Sequence, residues 1–294
     1  MAVDEIQDEY LDWVDDDTDY TEDFSDKLNA LFTRMLRNPS DRGMSDFQTA
    51  RDVLIAAFLA GLIDKLETQL KQSMNMGIDV ANGQIKRLKI DKIVKKTIND
   101  KKFKDMLDSV VESNKTTLAY VLNGVKVNTD NIIKDIKSNV TVTKKVISTE
   151  LAAQFQKNGI TEFQDRAGRR IAINNYIKQK SLDEITRIMR KSYFMQAIKY
   201  GVPYVRIVHL NIHPSCPLCA VFEGKILAIQ ENDKGVMTIA EADSQGLWHF
   251  SCDHVPMAME LTNDFTDKEI DIKLTDKNKK FEDYYKRKGM KFNL

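Results

Sequence analysis

All three cysteines and all four histidines of this 294-residue chain lie between His209 and His254. They form two clusters: His213 to Cys219, which contains a Cys-x2-Cys spacing, and His249 to His254, which has a His-x2-Cys-x-His spacing. A Cys-x2-Cys turn presents two thiolates to one ion, and the second cluster offers further thiolate and imidazole ligands. The spacing therefore predicts a metal-stapled module in this part of the chain.

Zinc is the metal that a mixture of thiolate and imidazole ligands favours, and a closed set of four protein ligands is structural. The preferred set is Cys216, Cys219, His249 and Cys252, with His213 and His254 as alternates or as neighbours of the ligands. Two other interpretations stay open. The residues could be ordinary buried thiols and hydrogen-bonded imidazoles without a metal, or two of the cysteines could form a disulfide such as Cys216–Cys252.

Catalytic motifs are incomplete in this sequence. A zinc deaminase needs a glutamate two residues after a histidine, and no histidine here has one. The sequence also contains no His-Glu-x2-His, no P-loop and no Gly-x-Gly-x2-Gly. We therefore predict no enzymatic activity and interpret Glu223 as a solvated turn residue. The alternative is a metal-dependent, nuclease-like hydrolase, in which three ligands and a water form the centre and Glu223, Asp253 or His254 is the general base.

The hydrophobic periodicity changes at Gly201. Before it, helical spacing predicts amphipathic helices at about 45–70, 86–112, 130–156 and 170–200, and Asn123-Gly124 predicts a turn. After it, alternation predicts strands at about 205–209, 224–229 and 255–261, and Pro256 makes the last an edge strand. We expect an α+β fold: a mainly α-helical body of long amphipathic helices, followed by a small β-rich Cys/His module.

Charge is distributed unevenly along the chain. Residues 1–26 contain twelve acidic and no basic side chains, whereas residues 86–104 contain nine basic and two acidic ones. Dense like charge repels itself, so the first segment is predicted to be flexible, either as a docking arm or as a solvated leader. The predicted division is an acidic flexible arm (1–26), a helical domain (27–200), a β module (201–262) and a charged C-terminal tail (263–294).

The sequence predicts neither secretion nor a membrane span. The acidic N-terminus stands where a secretory signal would need basic residues, so we expect a reducing compartment and free thiols. The longest apolar run, residues 53–63, is eleven residues long, which is too short to cross a bilayer and predicts a buried helix.

Basic side chains early in the 86–104 segment make DNA a candidate partner, because they could contact phosphates. They are Lys86, Arg87, Lys89, Lys92, Lys95 and Lys96. The same side chains could instead form the solvated face of an amphipathic helix that buries Ile90, Val94 and Ile98. Aromatic side chains, which stack on exposed bases, are nearly absent from this segment, and this favours the second interpretation.

Residues 158–260 carry an ordered series of motifs. Asn158–Phe163 and Asp165–Arg170 precede a predicted helix that ends at Tyr200-Gly201, and the two Cys/His clusters follow. This order resembles the minor capsid proteins of tailed phages, a group related to the Mu-F-type head morphogenesis proteins. The second cluster departs from the family pattern, with Phe250-Ser251 in place of Pro-Asn and Asp253 in place of Arg. The residues of this cluster that could bind a metal, His249, Cys252 and His254, are retained.

The resemblance implies a structural minor capsid protein of the virion, synthesised in the host cytoplasm and placed inside the head near the portal vertex. It implies a role in assembly, in DNA packaging or in ejection. The implied partners are the portal protein, the major capsid protein or both. It implies no established enzymatic activity.

Overall fold

Long helices make up the first part of the chain. The structure is a computed structural model that describes residues 3–37, 40–88, 100–139, 161–165, 168–211, 215–232, 234–249, 252–259, 266–270 and 272. Its first elements are α1 (Val3–Arg37), α2 (Asp41–Arg87) and α3 (Asp100–Asn139). A short antiparallel hairpin of β1 (Glu162–Gln164) and β2 (Arg170–Ala172) then leads directly into α4 (Ile173–Lys199).

A small antiparallel sheet follows the helices. Its strands are β3 (Tyr204–His209), β4 (Ile226–Ala228) and β5 (His254–Ala258), in the order β4-β3-β5. Between them lie a 3-10 helix (Cys219–Val221) and α5 (Ile239–Ser244), and α6 (Asp267–Ile270) follows β5. Pro256 pairs with Ile207 from the edge strand β5, as predicted. The expected α+β fold is confirmed.

The chain divides into two compact units, each assembled from separate stretches of sequence. The helical unit contains Val14–Glu67 and Asp108–Gln179, and the sheet unit contains Met1–Trp13, Thr68–Leu107 and Lys180–Leu294. The domain boundaries expected from charge and periodicity stay a prediction.

Aromatic stacking and a buried ion cluster fill the helical unit. Phe24 of α1 stacks on Phe58 of α2 with ring centroids 4.1 Å apart. Arg51 is only 1% exposed and forms ion pairs with Asp52 at 2.7 Å and with Asp130 of α3 at 2.6 Å. A buried guanidinium is tolerable only with such partners, because an unpaired buried charge costs several kcal/mol. These contacts join three helices in one core.

The predicted turn at Asn123-Gly124 is wrong, because both residues lie inside α3. Gly124 is covered by Phe163 of β1, and a Cβ at this position would lie 2.8 Å from the Phe163 Cβ. The glycine therefore serves close packing of a strand against a helix, although glycine in a helix interior costs about 1 kcal/mol relative to alanine.

Residues 1–26 were predicted to be a flexible acidic arm, whereas residues 3–26 lie within α1. The reason is the spacing of its apolar residues: Ile6, Tyr10 and Trp13 recur every three or four positions and are all buried. Many of the acidic side chains occupy exposed positions, among them Glu5, Asp8, Asp12, Asp15, Asp19, Glu22 and Asp26. Helical amphipathicity thus prevails over like-charge repulsion here.

Other helix limits also differ from expectation. The helix predicted at 86–112 is not one element in the described chain, since α2 ends at Arg87 and α3 begins at Asp100. The helix predicted at 170–200 is confirmed as α4. The apolar run 53–63 lies within α2 but is not fully buried, since Val53 is 65% exposed. Across the described helices, none is both long and apolar enough to traverse a membrane.

The sheet unit packs the second half of α2 against α4. Ser73 donates to the carbonyl of Ile185 at 2.7 Å, and the Tyr193 hydroxyl donates to Gln84 Oε1 at 2.8 Å. Between these two bonds, Gly77 lets α2 approach the backbone of α4 closely. The position of α4 matters because its side chains reach the Cys/His loops.

Candidate metal centre

The first pair of candidate ligands lies in a tight turn that enters the 3-10 helix. The backbone amide of Cys219 donates to Cys216 Sγ at 3.3 Å, and the amide of Ala220 donates to the carbonyl of Cys216 at 2.9 Å. These bonds close the turn and keep both Sγ atoms within 4.8 Å of each other. The Cys-x2-Cys sequence thus folds locally as a metal-binding turn requires.

The second pair follows α5 through a strained turn. Gly246 has a φ of 99°, and Trp248 has a φ of 65°, which is unfavourable for a bulky residue. The indole of Trp248 lies 5.5 Å from the ring of Phe194 and 5.4 Å from the guanidinium of Arg190. These contacts to α4 fix the backbone immediately before His249.

Arg190 also fixes the backbone around the second pair. It is buried, and its guanidinium donates to the carbonyl of Cys252 at 3.2 Å and to that of His254 at 3.3 Å. Hydrogen bonds from a charged donor to buried carbonyls are stronger than neutral ones. The helix α4 therefore positions the loop that carries the second cysteine.

The candidate ligands converge into two groups of three that share Cys219. Cys216 Sγ lies 2.8 Å from His249 Nε2, Cys219 Sγ lies 3.5 Å from Cys252 Sγ, and Cys252 Sγ lies 3.3 Å from His254 Nδ1. The groups are Cys216, Cys219 and His249, and Cys219, Cys252 and His254; within each, all ligand atoms lie within 4.8 Å of one another. These groups are close enough to hold a metal ion.

We call Cys216, Cys219, His249 and Cys252 the thiol cluster. All three cysteines are free, so the disulfide considered from the sequence is wrong. Cys219, Cys252 and His249 are buried, and Cys216 is partly exposed. Buried thiols and an imidazole in mutual contact, without a disulfide, form an environment in which a cation would be well shielded from water.

Electrostatics in the thiol cluster favour thiolates. Hydrogen bonding from Cys219 and contact with His249 outweigh burial and lower the pKa of Cys216 to about 4. Burial raises the pKa of Cys252, but hydrogen bonds from Cys219 and His254 hold it well below its ordinary value. Hydrogen bonding to both of these thiolates raises the pKa of Cys219. Cys216 and Cys252 thus favour the thiolate form that binds metals, whereas Cys219 would release its proton on binding.

The preferred ligands fall into the two groups that share Cys219, with Cys216 and His249 in one group and Cys252 in the other, where the alternate His254 takes the third place. The other alternate, His213, lies outside the described residues. Which four residues bind a metal, and whether that metal is zinc, stays a prediction.

A second group of polar side chains adjoins the thiol cluster. We call His209, Glu223, Asp253 and His254 the imidazole cluster. The rings of His209 and His254 stack with centroids 4.7 Å apart, and Glu223 Oε1 lies 3.0 Å from His254 Nε2. His209 was not proposed from the sequence, and Glu223 was interpreted as a solvated turn residue, with a general base as the alternative. The missed signal is register: His209 and His254 are paired across β3 and β5.

Of the predicted DNA-contacting residues, two lie in described parts of the chain. Lys86 and Arg87 are exposed in the last turn of α2. Lys89, Lys92, Lys95 and Lys96 lie outside the described residues. The proposed phosphate contacts therefore stay a prediction.

Comparison with known protein families identifies a match over most of the chain. The family described as phage minor capsid protein 2 matches residues 47–288, which is most of the chain and includes the whole thiol cluster. Comparisons with curated proteins and with solved structures find no match.

Proposed function

The chain belongs to the phage minor capsid protein 2 family, and on this premise we propose that it is a structural protein of a tailed-phage head, placed inside the head near the portal vertex. The family match over residues 47–288 is the observation that carries the proposal. The protein would be made in the host cytoplasm and incorporated during head assembly, and it would serve assembly, DNA packaging or ejection.

Charge on two described surfaces supports virion partners. The exposed acidic face of α1 suits a basic surface on the portal protein or the major capsid protein, because complementary charge speeds and orients docking. Lys86 and Arg87, exposed at the end of α2, suit the phosphates of packaged DNA. Both contacts are part of the proposal.

Within this role, we assign the thiol cluster to structural zinc, with Cys216, Cys219, His249 and Cys252 as the ligands. The site would join the turn before the 3-10 helix to the loop before β5, two segments with little secondary structure of their own. Zinc binding would thus supply folding free energy that the short strands lack.

Burial in the thiol cluster supports this structural role over the hydrolase that the sequence left as an alternative. A hydrolytic zinc needs an open coordination position for water. Cys219, His249 and Cys252 are at most 4% exposed, which suits a closed site.

Purified particles provide the direct test of the proposal. DNA-filled particles of the parent phage, isolated on a density gradient, should contain this protein, and quantitative mass spectrometry should find it at low copy number relative to the major capsid protein. An asymmetric particle reconstruction should show its density inside the head at the portal vertex.

Two controls make the test decisive. A host cytoplasmic protein of similar abundance should be absent from the same fractions, and the portal protein should be present. The proposal fails if the soluble lysate contains the chain while washed particles lack it. Particles emptied by triggered ejection distinguish the roles, because a protein ejected with DNA is lost from them and an assembly protein is retained.

A further inference from the structure

We infer that the imidazole cluster is a second metal site, in which His209, Glu223 and His254 bind a divalent first-row transition ion. One ligand atom from each of these residues lies within 4.8 Å of the other two. Two imidazoles and one carboxylate form a nitrogen and oxygen ligand set, which suits zinc, cobalt, iron or manganese. The three residues lie outside the preferred zinc ligands, and His254 contacts one of those ligands, Cys252.

The distances between the donor atoms fit a common ion. Bonds of about 2.1 Å to nitrogen and oxygen place neighbouring ligand atoms roughly 3.0–3.4 Å apart. Glu223 Oε1 lies 3.0 Å from His254 Nε2 and 4.0 Å from His209 Nδ1. A small rotation of the partly exposed Glu223 side chain, at the expense of its hydrogen bond with Ser215, would bring the second distance into range.

The surroundings of His254 leave its second nitrogen for the ion. Its Nδ1 lies 3.3 Å from Cys252 Sγ, and its Nε2 points the other way, 3.0 Å from Glu223 Oε1. An ion bound between Nε2 and this carboxylate would take the place of the hydrogen bond that joins them. Metal-binding histidines are commonly held in this way by a partner on the other nitrogen.

His209 provides an independent observation. Among the described side chains, its Nε2 is a buried nitrogen without a hydrogen-bond partner, although Asp253 Oδ1 lies 3.0 Å away in an unfavourable direction. Its Nδ1 lies 2.9 Å from Asn211 Oδ1, and Asn211 has a φ of 58°. Two oxygen atoms, one of them from a buried carboxylate, thus lie against the ring and favour a cation next to it. To bind the ion through Nδ1, His209 would exchange its contact with Asn211 for the metal.

The two clusters would bind different ions with different consequences. The thiol cluster is closed and sulfur-rich, whereas Glu223 of the imidazole cluster is 36% exposed on its side chain, so an ion there can be reached from solvent. An ion in the imidazole cluster would connect the end of β3, the turn after the 3-10 helix and the start of β5. Such an ion would retain coordination positions for water or for a ligand from a partner.

Cobalt titration of the full-length protein tests the inference. The protein is first loaded with one equivalent of Zn²⁺ and then titrated with Co²⁺ under absorption spectroscopy. We expect one further equivalent to bind with the weak ligand-field bands of nitrogen and oxygen ligation and without thiolate-to-cobalt charge transfer. Glu223→Gln should weaken this binding at least about 10- to 100-fold, the range for a lost metal-site partner. Glu231→Gln, which changes an exposed carboxylate of the same unit, should have no effect.

A second variant separates this inference from the zinc proposal. Cys216→Ser disrupts the thiol cluster but leaves all three residues of the second site, so it should retain the cobalt spectrum without charge transfer. The inference is overturned if wild type and Cys216→Ser both bind no such equivalent. It is equally overturned if the only cobalt bound shows thiolate charge transfer, or if Glu223→Gln binds as tightly as wild type. If zinc does not bind to the thiol cluster, the structural-zinc proposal is refuted. The second site at His209, Glu223 and His254 is still tested by the cobalt titration.

Discussion

The close approach of α2 to α4 makes Gly77→Ala a sensitive test of the packing that supports the Cys/His loops. A Cβ at Gly77 would lie 2.2 Å from Ser192 Oγ and 2.3 Å from the carbonyl oxygen of Met189. Ordinary contact distances are longer, so the helices would have to separate by about 1 Å. The carbonyl belongs to the α4 backbone and cannot rotate away, as a side-chain end could.

The expected loss of stability follows from these contacts. Overpacking of this kind costs about 1–3 kcal/mol. Separation of the helices would also weaken the bonds from Ser73 to Ile185 and from Tyr193 to Gln84, each worth about 1 kcal/mol net. Alanine gains about 1 kcal/mol of helix propensity over glycine. We therefore expect the free energy of unfolding to fall by about 2–4 kcal/mol.

A second glycine of the same helix offers a matched control. At Gly61 a Cβ would meet the hydroxyl of Tyr20 at 2.0 Å, but this is the end of a side chain that can swing aside. The Tyr20 hydroxyl makes only a long bond of 3.4 Å to the carbonyl of Phe58. Gly61→Ala should therefore change stability by no more than about 1 kcal/mol in either direction, because the gain in propensity offsets the displacement.

Urea unfolding is followed by far-UV circular dichroism, which reports the helices of both units, and by tryptophan fluorescence, which reports the unit of Gly77 but not that of Gly61. Both tryptophans of the chain, Trp13 and Trp248, belong to the sheet unit that contains Gly77. In a Ser192→Ala background Gly77→Ala should remain destabilising, since the Met189 carbonyl still blocks the Cβ. If Gly77→Ala is as stable as wild type, or more stable, the α2–α4 packing is not as described.

Two further predictions concern metal binding and pH. Protein purified without added metal and then loaded with zinc should retain it through dialysis, whereas Cys216→Ser should lose the equivalent assigned to the thiol cluster. Zinc-free wild type under the same conditions would contradict the structural zinc site. Burial raises the pKa of Asp243 to about 6, although the positive charges of Arg190 and Lys191 act to lower it. Because this pKa is higher in the folded than in the unfolded state, the contribution to stability is full below the unfolded value and is lost as pH rises through about 6. Asp243→Asn should then be more stable than wild type above that pH by about 1 kcal/mol, allowing for solvent screening of a half-buried group. Urea unfolding across this range tests it, with the exposed Asp46→Asn as control, and equal pH profiles for Asp243→Asn and wild type would contradict it.

Local sequence patterns predicted much of the fold. The spacing of apolar residues located α4 to within a few residues, and alternation after Gly201 located the three strands of the sheet. Pro256 correctly indicated an edge strand because proline cannot donate a ladder hydrogen bond. These features depend on residues that are close in sequence, so the rules of apolar spacing, alternation and proline placement can predict them.

Features that depend on distant residues were not predictable in this way. Gly124 has the sequence signature of a turn, yet it lies in α3 because Phe163, nearly forty positions later, packs on it. Like charge predicted a flexible N-terminus, yet the buried side of α1 determines its structure. In both cases a long-range apolar contact, worth a few kcal/mol, outweighs a local preference of about 1 kcal/mol or less.

The candidate ligands of the thiol cluster could be selected from the sequence because every histidine and cysteine of the chain lies between His209 and His254. The residues that position them were not. Arg190 precedes the loop by about sixty positions, and only the tertiary fold places its guanidinium on the carbonyls of Cys252 and His254. The family resemblance was read from residues 158–260, whereas the family match extends to residue 47 and so includes most of α2.

The position of Arg190 links the two clusters through one segment of backbone. Cys252 contributes to the thiol cluster and His254 to the imidazole cluster, and Arg190 binds the carbonyls of both. An ion in either cluster would therefore order the same three residues, and the second ion would bind a segment that the first had already fixed. Ordering shared in this way makes binding cooperative, because the second ion does not bear the full entropy cost of immobilising the loop. The core of the helical unit contains none of these residues. We therefore expect a bound ion to stabilise the sheet unit only.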